Sequence, residues 1–214
     1  MYANILRNFK TFSCSGRKYY YFNNMYNHTW ANERSVEIPI IMDIINKNKG
    51  KTILEVGNVL SHYFSFAHDV LDKYEIFPGV INQDVVDFKS DKLYDLIVSV
   101  STLEHVGWDE PSRDETKILR SIDNLKKLIT PDGLIVMTIP IGYNSYLDEY
   151  LKNKILTFDK QYFMRKTSNY NDWKEVSCKE SYDAKYNIPF SGINSFFIGF
   201  IYGLKNPNRS YNQE

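Results

Sequence analysis

Short apolar, β-rich runs recur along the middle of the chain, at Thr52 to Val56, Asp69 to Leu71, Val80 to Asn82, Leu96 to Val100 and Leu134 to Ile139, each closed by polar or glycine-containing turn residues. Between the last two, Ile118, Leu119, Ile122, Leu125, Leu128 and Ile129 repeat at the spacing of one helix face, which predicts a helix from about Glu115 to Ile129. Thr130 ends it, and Pro131-Asp132-Gly133 reads as the turn feeding the next strand. Upstream, Val36, Ile38, Ile40, Ile41, Ile44 and Ile45 mark a second helix, with Pro39 in its first turn and Asn46-Lys47-Asn48-Lys49-Gly50 as its closing loop. Strands alternating with helices imply an α/β chain with a parallel sheet covered on both faces.

After Pro140 the pattern weakens into a polar region with strand-like stretches near Phe163 to Arg165, Trp173 to Val176 and Ser195 to Leu204. The last is almost wholly apolar and belongs at or near the centre of the sheet. Lys205 to Glu214 reads as a frayed terminus. No repeat or linker divides the chain, so a single domain over 1–214 is expected, a length that allows a sizeable core.

Composition changes this picture by exclusion. Hydrophobic residues make up 43% and charged residues 24%, ordinary for a globular chain. Lys plus Arg (26) equals Asp plus Glu (26), so no global positive field draws the protein onto nucleic acid or an anionic membrane. No apolar run approaches the roughly 18 residues needed to span a bilayer, and MYANILRNFK lacks a signal-like apolar core, which predicts a cytoplasmic location. Cys14 and Cys178 have no CxxC spacing and read as plain thiols.

The chemistry gathers at strand ends. In Ile53-Leu54-Glu55-Val56-Gly57-Asn58-Val59-Leu60-Ser61 an apolar strand ends in an acid and then glycine, as a nucleotide-type ligand requires at the carboxyl edge of a parallel sheet. An ordinary strand and turn explains that segment equally well. Asp72 closes the next run, where a carboxylate can accept two hydrogen bonds from a ribose diol, and Asp84 closes the third, within reach of an adenine amine. Each acid alone is more simply a solvated strand-end residue; acids at successive strand ends point to one crevice.

In this order, ILEVGN, YDLIVSVSTLEHV (94–106) and LKKLITPDGLIVMTIP (125–140) resemble the class I S-adenosylmethionine-dependent methyltransferases over roughly residues 50 to 140. The resemblance implies a three-layer Rossmann-like sandwich whose seven-stranded, mostly parallel sheet has an antiparallel last strand, here Ser195 to Leu204. It implies S-adenosylmethionine as cofactor, with Glu55 and Gly57 lining its methionine side, Asn58 in the same loop, Asp72 on the ribose, Asp84 with Val85 flanking the adenine and Ser101 beside the sulfonium. It divides the chain into an N-terminal cover (1–37), a cofactor-binding core (50–140) and an acceptor-side insert with the final strands (141–204). The glycine loop is degenerate, since Val59 and Ser61 stand where the family commonly carries glycine; Asn58 tolerates a left-handed backbone better than most residues. The first crossover has room only for a very short helix, over Leu60 to Phe66. A Rossmann dehydrogenase competes for the same fold, but it calls for GxGxxG, of which GNVLSH supplies the first glycine alone.

Methyl transfer to a hydroxyl needs a group that takes the hydroxyl proton. His105, just beyond the fourth strand, is the candidate base, against the reading that Glu104-His105 shapes the pocket. His62 is the second candidate base, against a loop or packing role; His62, Trp108, Asp109 and Tyr143 are candidate acceptor contacts, with a turn into the next helix as the alternative for Trp108 and Asp109. The aromatic stretch Tyr19, Tyr20, Tyr21, Phe22, Tyr26 and Trp30 reads as an amphipathic cover that could also stack on sugar rings, and Arg34 or Glu37 as a grip on the methionine end. Asp109 and Asp114 could hold Mg²⁺, but no spacing requires a metal, and none is expected. The expected activity is O-methylation of a small polar acceptor such as a sugar, sugar nucleotide or glycan precursor. N- or C-methylation of another metabolite, and a catalytically silent binding or activating partner, are the alternatives.

Overall fold

The computed structural model describes residues 9–183 and 194–206. Its strands are β1 (Thr11–Cys14), β2 (Arg17–Tyr20), β3 (Ile53–Val56), β4 (Asp69–Leu71), β5 (Val80–Ile81), β6 (Tyr94–Val100), β7 (Ile129–Pro140), β8 (Lys160–Lys166), β9 (Trp173–Val176) and β10 (Ser195–Tyr202). Its α-helices are α1 (Arg34–Lys47), α2 (Lys117–Leu128), α3 (Ser145–Lys152) and the short α4 (Cys178–Tyr182). None of the helices among the described residues is long and apolar enough to cross a membrane.

β1 and β2 form a hairpin, and the other eight strands form one sheet in the order β5-β4-β3-β6-β7-β10-β8-β9. β5, β4, β3, β6 and β7 run parallel. Ile141 N–H donates to the Ser195 carbonyl and Gly203 N–H to that of Gly133, so β10 runs antiparallel to β7, as expected of the last strand. The sheet has eight strands where seven were expected, because Trp173–Val176 adds an edge strand antiparallel to β8. The described residues fall into two compact units, one within Met1–Lys47, Pro140–Tyr143 and Tyr162–Ile198, the other within Asn48–Ile139, Asn144–Gln161 and Gly199–Glu214.

In the second unit the apolar strands bury Leu54, Val56, Leu71, Leu96, Ile97, Val98 and Val136, and α2 lays Ile118, Ile122, Leu125 and Leu128 on them. The expected alternation of strand and helix fails across the first three crossovers. β3 to β4 holds one 3₁₀ turn, Leu60–His62, in place of a helix to Phe66, and no α-helix joins β4 to β5 or β5 to β6. Side chains organise these connections instead: the Asn124 amide on α2 donates to the carbonyls of Val85 and Phe88, each at 2.9 Å, fixing the turn after β5. Pro131-Asp132-Gly133 is a bulge inside β7 rather than a turn before it, since Tyr94 pairs with Ile129 and Leu96 with Leu134. Gly133 is required there because a Cβ would lie 3.0 Å from the Asp95 carbonyl oxygen and closer still to Ile129 and Thr130.

In the first unit, residues expected to be part of an amphipathic cover form the β1–β2 hairpin, turned at Ser15 (φ 54°) and Gly16 (φ 72°). Both central residues lie in the left-handed region, as the tight turns favoured by twisted strands demand. α1 begins at Arg34, so Pro39 sits in its second turn rather than its first. Pro39 has no N–H for the Ser35 carbonyl; Phe22 N–H donates to that carbonyl instead, at 2.9 Å, and ties the preceding segment to the helix. Glu33 accepts the first helical N–H groups at its carbonyl, while its Oε2 is buried without a hydrogen bond among the described residues. Burial, reinforced by the neighbouring Glu37 carboxylate and opposed by Arg34 and Lys166, pushes the Glu33 carboxyl up to about 7. Cys14 is buried and Cys178 exposed, both as free thiols.

Candidate functional site

The register of the parallel strands decides where the site lies. Val56 pairs with Leu71 and with Ser99, and Leu71 with Ile81, so Gly57, Asp72, Asn82 and Ser101 all emerge at the carboxyl edge of the sheet. There a cavity of about 550 Å³ opens, a size suited to a small-molecule ligand. Val56, Leu71, Val85 and Val106 give it apolar walls, and Asp72, Glu75, Asp84, Asp109 and Glu110 line it with carboxylates.

Gly57 holds the floor. Its φ of 87° favours glycine, and a Cβ there would lie 2.1 Å from Thr102 Oγ1, so the loop after β3 and the segment after β6 interlock at this point. Glu55 is fully buried but does not line the cavity, contrary to the expectation that it faces the ligand. Its Oε1 accepts the N–H groups of Val59 (2.9 Å) and Leu60 (2.7 Å), and its Oε2 meets His68 Nε2 at 2.9 Å. Glu55 therefore shapes the glycine loop from behind, by holding the Val59 and Leu60 N–H groups.

Asp72 does line the cavity, at the end of β4. Its Oδ2 accepts Asn58 N–H at 3.0 Å and its Oδ1 accepts those of Tyr74 and Glu75 at 2.9 and 2.8 Å, which fixes the carboxylate while leaving it one of its roughly four acceptor positions. Asn58 lines the cavity and donates to Glu75 at 2.8 Å. Asp84, at the end of β5, sits in a square of charges: Lys117 and Lys73 reach its Oδ2 at 2.7 and 2.9 Å, and both lysines also reach Glu110 Oε1, at 2.5 and 3.0 Å. Burial alone would raise the Asp84 carboxyl; the Lys117 and Lys73 ammonium groups, with Val86 N–H, outweigh it and bring it down to about 2. Glu110 is held below its ordinary range by the same two lysines against the effect of burial, and Lys73 is raised by its hydrogen bond to Asp84.

Ser101 lines the cavity with φ 40°, a left-handed conformation on a non-glycine residue, and its N–H donates to the Thr138 carbonyl at 3.1 Å. Beyond it, the 3₁₀ turn Leu103–His105 presents His105, whose Nδ1 lies 2.5 Å from Asp109 Oδ2, with Glu104 Oε1 3.6 Å from Nε2. Both His105 and Asp109 line the cavity.

The other expected contacts stand outside the lining. His62 pairs with Glu75 Oε1 at 3.1 Å behind the loop. Trp108 packs edge-on against Tyr146 at 5.4 Å and under the Arg113 guanidinium at 4.0 Å, a packing role. Arg34 and Tyr143 belong to the other unit, where Arg34 reaches Glu37 Oε2 at 2.6 Å. The carboxylate of Asp114 is engaged by Arg120 and Thr116, and that of Asp109 by His105. Sequence reasoning missed Lys73, Glu75, Gln83, Thr102 and Glu110; the short spacing of Lys73 and Glu75 to Asp72 was the one available signal.

No protein-family model and no curated protein matches the chain. Solved structures resemble it at low identity. The N-methyltransferase NodS from Bradyrhizobium japonicum WM9, in complex with S-adenosyl-l-homocysteine, is 14% identical over 78% of this chain and 84% of that one, with a TM-score of 0.48. The sugar N-methyltransferase KedS8 from Streptoalloteichus sp ATCC 53650 is 8% identical over 90% and 98%, with a TM-score of 0.41. A S-adenosylmethionine-dependent methyltransferase from Clostridium acetobutylicum ATCC 824 is 11% identical over 77% and 89%, with a TM-score of 0.40. At such values the activity has to be argued from the site itself.

Proposed function

We propose that this chain is an S-adenosylmethionine-dependent methyltransferase acting on a hydroxyl of a small polar acceptor, with a sugar or glycan precursor foremost. The observation that carries the reading is the convergence of four consecutive strand ends, at Gly57, Asp72, Gln83 to Val85 and Ser101, on one cavity of about 550 Å³. The residues fit the cofactor: a fixed carboxylate with acceptor capacity for a ribose, apolar walls for a purine, and a backbone that approaches closely at Gly57. Asp72 holds the ribose, Val85 packs on the base, and Asn58 and Ser101 bound the opposite end.

When bound, the cofactor supplies an electrophilic methyl group on a sulfonium, whose departure needs no acid. The protein's tasks are alignment and removal of the acceptor's proton. His105 takes that proton at Nε2, with Nδ1–H donated to Asp109.

A second reading, a catalytically silent binding partner, draws support from Asp72 and Asp84, whose carboxylates are already engaged by protein donors. Isothermal titration with S-adenosylmethionine and S-adenosylhomocysteine separates the two. Binding of both is expected; absence of heat with either at millimolar ligand refutes the enzyme reading. Mass spectrometry after incubation with a panel of sugars and amines then reports whether the added methyl sits on oxygen or nitrogen.

A further inference from the structure

At the end of β5 two side chains compete for the edge of a bound purine. Asp84 is the one its position at the strand end nominates, but its Oδ2 is shared by Lys73 and Lys117 and its Oδ1 accepts Val86 N–H at 3.2 Å. Three of its roughly four acceptor positions are filled, two of them by ammonium groups, and it has no hydrogen to offer a ring nitrogen. Gln83, its neighbour, also lines the cavity, and its side-chain amide makes no hydrogen bond to another group among the described residues. Its backbone is held by N–H donation to the Ile81 carbonyl at 3.1 Å, and the following Val85 is buried, so the residue is fixed at its base and free at its tip.

An amide presents an acceptor and a donor side by side, the complement of an adenine edge, where an amine hydrogen stands beside a ring-nitrogen lone pair. We infer that Gln83 reads the base of the bound nucleoside through this two-point contact, while Asp84 serves as the anchor of the Lys73–Lys117–Glu110 square that forms the wall beside it. This rests on the cofactor assignment above and refines it. It also carries a chemical signature. An amide can turn over and present its donor and acceptor in reverse, so Gln83 accommodates a hypoxanthine edge, where oxygen replaces the amine and the ring nitrogen carries hydrogen. A reading carboxylate has only acceptors: it takes the amine hydrogen of adenine or the ring N–H of hypoxanthine, and on either edge it faces one lone pair that it cannot satisfy.

The test is calorimetric, with S-adenosylhomocysteine, its inosine counterpart and its unsubstituted purine counterpart as probes, on the full chain. The wild type is expected to bind the inosine form within about fivefold of the adenosine form and the purine form roughly 10-fold more weakly, the usual scale of a lost base contact. Gln83→Ala should weaken the adenosine form by roughly 10-fold with an unchanged melting temperature, since the amide supports nothing else in the fold. Gln83→Glu should weaken the adenosine and inosine forms alike, since a carboxylate satisfies only one of the two contacts on either edge. If S-adenosylhomocysteine binds and Gln83→Ala leaves its affinity unchanged, Gln83 does not read the base and the inference is overturned. If S-adenosylhomocysteine does not bind at all, the cofactor assignment falls and takes this inference with it.

Discussion

Replacing Glu33 with glutamine should make the protein more stable, and only above mildly acidic pH. Glu33 is 8% exposed, its Oε2 has no hydrogen-bond partner among the described residues, and a second buried carboxylate, Glu37, stands one helical turn away with Arg34 as their shared counter-charge. The folded protein holds the Glu33 proton up to about pH 7, whereas the unfolded chain releases it near 4.5. Between those values the folded state binds more protons, so stability is complete below 4.5, falls as pH rises through the window and levels off above about 7. At about 1.4 kcal/mol per pH unit, that interval amounts to about 3 kcal/mol. Glu33→Gln removes the charge and keeps the shape, and its own buried amide hydrogens subtract about 1 to 2 kcal/mol from the gain. Urea unfolding of both proteins from pH 4.5 to 8.5 measures the difference directly, because titrating groups remote from Glu33 cancel. The advantage of the glutamine variant should grow with pH up to about 7 and then hold. A difference that stays constant across the range, or that shrinks as pH rises, refutes the argument.

Other expectations can be checked with standard measurements. Gly57→Ala places a methyl group 2.1 Å from Thr102 Oγ1 on a backbone with φ 87°, so the melting temperature should fall by several degrees, with a cost of at least about 1 to 2 kcal/mol. Asp72→Asn should weaken S-adenosylmethionine at least 10-fold by calorimetry, since one amide nitrogen then faces the backbone N–H groups that the carboxylate accepts; unchanged affinity removes Asp72 from the ribose. His105→Ala should lower turnover of whichever acceptor the mass spectrometric screen returns by about 10²-fold while cofactor affinity holds, and retained turnover returns His105 to a structural role.

Much of the sheet was legible because buried parallel strands write themselves as unbroken apolar runs, and β4 coincides with the run that predicts it; the antiparallel edge strand β9 coincides with its predicted stretch as well, although only Trp173 of it is buried. α2 was legible because one face repeats Ile118, Ile122 and Leu125. The β1–β2 hairpin was not, since its aromatic residues occur on both strands and suggest a cover; the Ser15-Gly16 pair was the overlooked turn signal. The β7 bulge was hidden because Pro-Asp-Gly reads locally as a turn, and only pairing with β6 turns it into an interruption within a strand. At the site, strand-end positions could be named but side-chain directions could not. Glu55 turns away from the cavity because His68 and the Val59 and Leu60 N–H groups claim it. The charge square joins Lys73, Asp84 and Glu110 from three loop segments with Lys117 at the start of α2, a meeting that no local pattern announces.

The left-handed backbone at Ser101 has an implication for anyone who sets out to make this protein tougher. Glycine adopts that conformation without the roughly 1 kcal/mol that a serine must absorb, so Ser101→Gly is among the first exchanges a search for heat tolerance would retain. The same exchange strips a hydroxyl from the cavity wall, so durability and ligand affinity should move in opposite directions at this one position.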